Sequence, residues 1–356
     1  MKKIIISSLI ILIIIISFSQ IIKIQTIEDL IFKIGLSTIV ANINTEPWNQ
    51  KEQDALRVVV CGSRSPLMHK DRANTCLLVV AGNKSYLIDV GSGSINKLGA
   101  YGVNFGDIES VIISHLHSDH ITDLGEAHLR TWINRNKPTK LTVFGPDGIE
   151  QVVEGYNIAF GQDNIYRNMH HGGDIADLSV SGMSPRAIDM ENPIIISDEN
   201  TTITAFEVIH EPVSPALGFR IDYKDRSIVI SGDTIKDKNV EKFSKDVDVL
   251  FHEAQSNYIL NNLIEAQGGK GPNTTILKDI QTYHTTPTEA AEIAKAAKVG
   301  HLVFYHLTPA PRNTIMERVF TRGVEEIFPE NWTMAKDGLL VSLPTGSDDI
   351  NISYLD

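Results

Sequence analysis

The sequence predicts an α/β protein in which two packed β-sheets carry helices on their outer faces. Three observations favour this class. The 356-residue chain is 42% hydrophobic and 21% charged, which is typical of a globular protein and excludes a disordered or collagen-like chain. Short, apolar, β-rich segments recur from residue 56 onward and are separated by turn residues. Helical periodicity appears between runs of these segments, an order that favours two packed sheets with helices outside.

The predicted elements follow one another as a single domain over residues 56–345, with a C-terminal tail at residues 346–356. Strands are predicted at residues 57–61, 76–80, 85–90, 111–114, 141–144, 202–209, 217–222, 227–231, 248–251, 301–305 and 339–343. Helices are predicted at residues 95–101, 123–134 and 286–297, the last of them capped by Thr286 before Pro287. Residues 155–191 are rich in Gly, Asp, Asn and Ser without a sustained period, so they are predicted to be an insertion.

The first 22 residues have the layout of an export signal. Two lysines precede an apolar run at residues 4–16, and two serines two positions apart follow it. Residues 4–22 are also long enough to span a bilayer uncleaved, so a signal peptide and a membrane anchor both stay open. Either predicts an exported protein, periplasmic or anchored by this segment. Residues 23–55 are predicted to be a helical segment followed by a linker.

Charge and cysteine content exclude further classes of protein. The chain has 32 Lys and Arg against 44 Asp and Glu, a net charge of −12, and no local basic cluster. A nucleic-acid partner is therefore not expected. Cys61 and Cys76 are too few for a disulfide scaffold or a Cys-rich zinc module. In an oxidising compartment they could pair, and otherwise they would be two buried thiols.

The strongest functional signal is a cluster of His115, His117, Asp119 and His120 at the end of a predicted strand. Alternate residues of an extended chain point the same way, so His115 and His117 can hold one ion. Asp119 and His120 follow where the chain turns toward a helix, and they can face a second ion. Imidazole and carboxylate are common ligands of transition metals, so this pattern predicts a metal centre.

This pattern, His115-x-His117-x-Asp119-His120, resembles the signature of the metallo-β-lactamase superfamily, whose fold is a four-layer αββα sandwich. The resemblance extends over roughly residues 57–343. It implies two zinc ions, with manganese or iron as alternatives, because nitrogen and carboxylate ligands without thiolate suit zinc. It also implies three further ligands, and residues at predicted strand ends match them. The expected ligands are His115, His117 and His210 for one ion, Asp119, His120 and His306 for the other, and Asp233 as the bridge.

Two more motifs resemble the ribonuclease Z and arylsulfatase branch of this superfamily. They are Glu253 within residues 251–254 and His284 within residues 283–286. The resemblance implies that Glu253 holds His284, and that His284 faces the leaving group as a proton donor. Together with Asp119, these two are the predicted catalytic residues.

Within that branch, the sequence predicts the exported, arylsulfatase-like side. Ribonuclease Z holds transfer RNA with a basic arm, whereas residues 155–191, expected to overhang the active site, have two basic residues against five acidic ones. Such a segment is poorly placed to meet RNA. Arg167 and His171 in this segment, and Arg72 in the loop at residues 62–74, are the candidate contacts to an anionic substrate.

The sequence-based hypothesis is thus an exported dinuclear hydrolase that cleaves a small sulfate or phosphate ester with a metal-activated hydroxide. One alternative is a ribonuclease Z-type endoribonuclease that processes the 3′ end of transfer RNA. A second alternative is a metal-binding scaffold without turnover. The resemblance is also compatible with a homodimer, and a membrane is expected as a partner only through an uncleaved N-terminal segment.

Overall fold

The computed structural model describes residues 25–43, 54–134 and 137–355. They fall into two units, one up to Gln50 and one from Lys51 onward. The predicted export signal at residues 1–22 lies outside the described residues. In the first unit, helix α1 (Gln25–Ile43) occupies most of the predicted helical segment. None of the described helices has the length and apolar character that crossing a membrane requires.

The second unit alternates strands and helices in the predicted manner. Its strands are β1 (Ala55–Gly62), β2 (Cys76–Ala81), β3 (Lys84–Ile88), β4 (Ile108–Ile112), β5 (Leu141–Gly145), β6 (Met183–Ala187), β7 (Ile194–Ser197), β8 (Thr201–His210), β9 (Val213–Tyr223), β10 (Arg226–Ile230), β11 (Val249–Gln255), β12 (His301–Thr308), β13 (Trp332–Met334), β14 (Leu339–Pro344) and β15 (Asn351–Tyr354). Its helices are α2 (Ser94–Ala100), α3 (Ser118–Ile121), α4 (Leu124–Asn134), α5 (Ile149–His171), α6 (Lys238–Phe243), α7 (Asn257–Ala266), α8 (Pro272–Asp279), α9 (Pro287–Ala297), α10 (Thr314–Phe320) and α11 (Val324–Ile327).

Two mixed sheets form the centre of this unit. One has the strand order β15-β14-β1-β2-β3-β4-β5-β6, and the other has the order β13-β12-β11-β10-β9-β8-β7. Aliphatic and aromatic side chains from both sheets, among them Val79, Ile112, Phe219 and Phe251, are fully buried in one shared core. Such a layer between two sheets is the expected way to bury both inner faces. The prediction of an αββα sandwich is confirmed.

Helix α9 shows why the outer layer could be predicted. Thr286 accepts a hydrogen bond from the Glu289 N–H, and the Glu289 carboxylate accepts one from the Thr286 N–H, which makes a capping box. Pro287 occupies the first turn, where it loses no hydrogen bond. The buried alanines of α9 then pack against the second sheet. This cap fixes the chain two residues after His284.

Residues 155–191, predicted to be an insertion, contain regular elements that the sequence pattern did not show. Most of this segment belongs to α5 and β6, and β6 pairs in parallel with β5 at the edge of the first sheet. Exposed apolar residues, Ile158, Ile165 and Met169, interrupt the amphipathic period of α5, because only part of this helix packs against the sheet. Residues 346–356 are likewise more than a tail, since β15 pairs with β14.

The two cysteines form a disulfide. Cys61 on β1 and Cys76 on β2 are joined with a Cα–Cα distance of 5.1 Å. The two strands are hydrogen-bonded neighbours, and Gly62 pairs with Cys76. Sheet pairing therefore brings the thiols together, which sequence spacing alone left undecided.

His128 on α4 is a buried histidine outside the metal motifs. Its ring stacks on Trp132 with a centroid distance of 5.8 Å. Its Nε2 accepts a hydrogen bond of 2.8 Å from the Gly182 N–H. Burial lowers the pKa of His128 to about 4, so the folded protein holds this imidazole in its neutral form.

We expect His128 to make the protein less stable in mild acid. Its folded pKa lies below the unfolded value of about 6.5, so its contribution is complete above pH 6.5 and is lost as the pH falls toward 4. The loss amounts to about 2 to 3 kcal/mol. Urea unfolding at pH 7 and pH 4.5 measures it in the wild type and in His128→Gln, whose amide can still accept the Gly182 bond. If both proteins lose the same stability between these pH values, His128 does not carry the effect.

Candidate metal centre

The metal motifs lie at one edge of the sandwich, where strands of both sheets end. His115 follows β4 by three residues, His210 is the last residue of β8, and Asp233 follows β10 by three residues. His306 lies near the end of β12, where its φ of 45° interrupts the extended strand. Strand ends bring these distant positions together, because neighbouring strands finish at the same level of the sheet.

A glycine places the central carboxylate. Gly232 has φ +63°, and a Cβ there would meet the carbonyl oxygen of Leu217 at 2.3 Å. Only glycine adopts this conformation readily and tolerates such an approach. The tight turn carries the chain from β10 into the site, and Asp233 is buried there.

Three histidine nitrogens converge on one point. His115 Nε2 lies 2.8 Å from His117 Nδ1, and His210 Nε2 lies 3.4 Å from the same atom. Tetrahedral nitrogen ligands at about 2.05 Å from zinc would be roughly 3.3 Å apart. The observed spacing therefore suits three ligands of one ion, the set predicted from the sequence.

The second predicted set also comes together, beside the first. His306 Nε2 lies 3.1 Å from Asp119 Oδ2, and Asp119, His120 and His306 offer ligand atoms within 4.8 Å of one another. Asp233 lies between the two sets. Its Oδ2 is 3.4 Å from His120 Nε2, 3.2 Å from His306 Nε2 and 3.9 Å from His115 Nε2. This is the position that a bridging carboxylate requires, and ligation itself stays a prediction.

Neighbouring groups orient two of the histidines. His120 Nδ1 donates to Asp89 Oδ2 at 2.8 Å, and Asp89 also accepts bonds from the N–H and hydroxyl of Ser114. His210 Nδ1 donates to the carbonyl oxygen of Tyr283 at 2.9 Å. Each bond fixes the tautomer that leaves Nε2 free as a ligand. The sequence analysis did not predict the roles of Asp89 and Tyr283. The position of Asp89, directly after a buried apolar strand, was a signal that could have identified it.

The chemistry of these groups fits bound cations. Burial lowers the pKa of His115 well below its ordinary value and that of His210 to about 4, so their lone pairs are available. Burial opposes ionisation of Asp233, but His306 and His120 outweigh it and hold the Asp233 pKa well below the usual range. His120 Nε2 and Asp233 Oδ1 are buried without a hydrogen-bond partner in the described parts of the chain. Imidazoles grouped around buried carboxylates are a typical setting for transition metals.

The predicted catalytic pair forms next to these ligands. Glu253 Oε1 accepts a 2.8 Å hydrogen bond from His284 Nδ1 and further bonds from the N–H groups of Thr234 and Thr285. Burial opposes protonation of His284, but the Glu253 carboxylate outweighs it and raises the His284 pKa to about 9. A ring nitrogen of His284 lies within 4.8 Å of the ligand atoms of His210 and Asp233. His284 therefore lies at the edge of the ligand cluster, with its Nδ1 held by Glu253.

Two of the three candidate substrate contacts have partners within the fold. The Arg72 guanidinium is buried and donates to Ser63 Oγ at 2.8 Å and to the carbonyl oxygen of Ala335 at 2.6 Å. Arg167 pairs with Asp163 one turn earlier on α5. His171 is exposed at the end of the same helix. Among the described residues His171 belongs to none of the ligand groups around Asp233, and a contact of Arg72, Arg167 or His171 with substrate stays a prediction.

Comparisons with known proteins agree with this architecture. Residues 56–267 match the family model described as anti-Pycsar protein Apyc1. Ribonuclease Z of Mycobacterium bovis (strain BCG / Pasteur 1173P2) is 34% identical over 261 residues, which cover 72% of this chain and 87% of that protein. The metallo-β-lactamase fold protein YhfI of Bacillus subtilis superposes with a TM-score of 0.59 at 22% identity, covering 81% of this chain and 100% of that one. The short form of human tRNase Z gives a TM-score of 0.54 at 20% identity, covering 81% and 99%.

The fold and the ligand cluster define a metal-dependent ester hydrolase with the metallo-β-lactamase fold. The family model spans more than half of the chain, and the ribonuclease Z relative exceeds 30% identity over most of its own length. The chain belongs to the ribonuclease Z branch of the metallo-β-lactamase superfamily and, through residues 56–267, to the family described as anti-Pycsar protein Apyc1.

Replacing Asp89 tests whether its hydrogen bond to His120 is needed to orient that predicted ligand. Its φ of 57° lies in the left-handed region, which is costly for a residue other than glycine, so its bonds to His120 and Ser114 must hold it there. We expect Asp89→Asn to weaken metal affinity or activity about 10- to 100-fold. Metal titration and initial rates measure the loss, with the surface variant Asp222→Asn as a control. Unchanged affinity and rate in Asp89→Asn would show that the His120 ring needs no such support.

Proposed function

We propose that the protein hydrolyses phosphodiesters whose leaving group is a sugar hydroxyl, the reaction class that ribonuclease Z represents. The observation that carries this proposal is the Glu253–His284 pair beside the ligand cluster. A phenolate or nitrophenolate leaves readily as an anion, whereas a sugar alkoxide needs a proton as the bond breaks. A histidine kept protonated at neutral pH by a buried carboxylate is suited to that need.

In this proposal, seven residues hold two metal ions and two further residues supply the proton. His115, His117 and His210 would hold one ion, and Asp119, His120 and His306 the other, with Asp233 between them. When bound, the proposed pair of zinc ions supplies Lewis-acid stabilisation and an activated water nucleophile. Glu253 keeps the imidazolium of His284 oriented through Nδ1, and His284 delivers a proton to the departing oxygen.

Aryl sulfate esters are the second candidate class. The buried pair Glu253–His284 gives them little advantage, because a phenolate needs little protonation.

The charge around α5 favours a small ester over RNA as the substrate. Arg167 is neutralised by Asp163, and Asp174 and Asp177 follow the helix. A polyanion gains little attraction from such a surface.

One comparison of substrates tests the proposal. The purified, metal-analysed protein is assayed on a ribodinucleotide, a 3′-extended transfer RNA precursor and p-nitrophenyl sulfate, with His117→Ala as the inactive control. We expect turnover of a phosphodiester that is lost in His117→Ala. Cleavage of the precursor would assign the ribonuclease Z reaction itself. Turnover of the sulfate alone would overturn the proposal in favour of an arylsulfatase.

We also propose that the protein is exported. Its support is the apolar run at residues 4–16 together with the Cys61–Cys76 disulfide, since disulfides persist mainly in oxidising compartments. Alkylation of the protein in its native cells tests this. Both cysteines should resist alkylation until the protein is reduced, and the chain should fractionate with the envelope or medium. Free thiols in a cytoplasmic fraction would refute export.

A further inference from the structure

A second cavity opens between the two sheets, away from the metal centre. It has a volume of about 440 Å³ and lies between β3–β6 of the first sheet and β7 of the second. We call it the distal groove, and the residues that define it are Lys84, Tyr86, Ser110, Thr142, Arg186 and Ser197. Ser110 precedes His115 by five residues on the same stretch of chain, so the two sites are roughly 15 Å apart along the strand direction.

Hydroxyl groups form a row across the inner face of the first sheet in this groove. Tyr86 pairs with Ser110, and Ser110 pairs with Thr142, so three neighbouring strands carry hydroxyls of the groove at one level. The next residues inward on two of these strands, Ile88 and Ile112, belong to the apolar core. Inward-facing positions of a β-sandwich normally carry apolar side chains and alternate with polar outward ones. Hydroxyl groups at this inward-facing level therefore depart from the usual pattern.

These hydroxyls are not used by the fold. Ser110 is 2% exposed, and its Oγ has no hydrogen-bond partner among the described residues. Tyr86 is also 2% exposed, and burial raises the pKa of its hydroxyl. Neither Tyr86 nor Thr142 makes a side-chain hydrogen bond within the described part of the chain. A buried hydroxyl is normally satisfied by protein or by a bound molecule, so the Ser110 hydroxyl, with the hydroxyls of Tyr86 and Thr142 beside it in the groove, suits a polar ligand.

Both carboxylates that line the groove are paired with lysines, Glu109 with Lys137 and Asp198 with Lys84. Lys84 is neutralised by Asp198, with Nζ and Oδ2 2.7 Å apart. Arg186 has no acidic partner among the residues that the structure describes, and it lines the groove beside Phe144, its neighbour across β5 and β6. A guanidinium fork binds phosphate through two parallel hydrogen bonds. Phe144 and Ile195 give the groove an apolar wall.

We propose that the distal groove binds a phosphorylated sugar, with the phosphate on Arg186 and the sugar hydroxyls on Ser110, Thr142 and Tyr86. The row of hydroxyls suits a polyol, the apolar wall suits the carbon face of a sugar ring, and the guanidinium suits one phosphate. The volume of the groove accommodates a molecule of that size. Nothing in this site depends on the metal ligands, so it stands apart from the hydrolytic reaction.

Calorimetric titration of the full, metal-loaded chain with glucose 6-phosphate tests this site. We expect binding that weakens about 10- to 100-fold in Arg186→Gln, the range for hydrogen bonds to a charged group, and that weakens in Ser110→Ala. Arg318→Gln, an exposed arginine on α10, is the matched control. Because Arg186 is exposed, its replacement is not expected to disturb folding.

The metal centre is the competing location for a phosphate, and His117→Ala separates the two. Binding that persists in His117→Ala and weakens in Arg186→Gln supports the distal groove. Binding lost in His117→Ala but kept in Arg186→Gln, or no binding by the wild type, overturns the proposal. Inorganic phosphate that binds as tightly as glucose 6-phosphate would overturn the role of the hydroxyl row.

Discussion

Replacing His284 by alanine is expected to slow hydrolysis of a ribodinucleotide about 10²- to 10⁴-fold, the usual contribution of a general acid. The same variant should change the rate on a p-nitrophenyl phosphodiester little, because the nitrophenolate leaves without a proton. Initial rates on the two substrates, measured with equal metal content, give the ratio. The selective loss follows from the position of His284 beside the ligand cluster and its 2.8 Å bond to Glu253.

The pH profile adds an independent readout of the same role. Because Glu253 raises the His284 pKa to about 9, the acidic form is present at neutral pH and is lost as the pH rises through 9. Dinucleotide hydrolysis should therefore decline above that pH, and Glu253→Gln should move the decline to lower pH. His301→Gln, at the start of β12 and outside the ligand groups, serves as the control. Equal losses on both substrates in His284→Ala would show that this residue supports the metal centre and is not the acid.

Asp233→Asn is expected to abolish paired metal binding. Asp233 Oδ2 is the carboxylate oxygen within 4 Å of His115, His120 and His306 at once, so its charge serves both predicted ions. The loss of activity should exceed the about 10- to 100-fold cost of a substitution outside the ligands. Elemental analysis of the dialysed protein gives the ions bound per chain, and initial rates give the loss.

The free energy of unfolding tests the bridging role of Asp233 without an activity assay. Ions present at a thousand times their dissociation constant add about 4 kcal/mol to the free energy of unfolding, and a chelator should remove this from the wild type. Asp233→Asn should show a much smaller chelator effect, whereas Asp222→Asn should behave as the wild type does. An undiminished chelator effect and metal content in Asp233→Asn would exclude the bridging position.

The sequence led to much of the candidate site because short motifs carry its chemistry. His115, His117, Asp119 and His120 lie within six residues, and their spacing predicts ligands on its own. Glu253 and His284 are 31 positions apart, and their pairing was expected only from the resemblance. The sequence did not predict the roles of Asp89 and the Tyr283 carbonyl. Groups that support the ligands are defined by proximity in space, so they have no characteristic spacing in the sequence.

Within the fold, strands buried on both faces were the easiest elements to place. The apolar segments that became β1 and β2 were bounded by turn residues, and Thr286 and Pro287 marked the start of α9. Helix α5 was missed because its exposed apolar residues Ile158 and Met169 hide the helical period. The strand β15 was missed because it is short, and most of its residues are exposed.

The sequence by itself predicted the class of fold and the residues proposed as metal ligands, because periodicity and motif spacing are local properties of a chain. Tertiary structure alone decided which residues meet. It joined Cys61 to Cys76, paired Arg167 with Asp163, and set Ser110 and Thr142 side by side in the distal groove. These outcomes depend on strand register and packing, which arise from contacts between distant segments and so cannot be read from neighbouring residues.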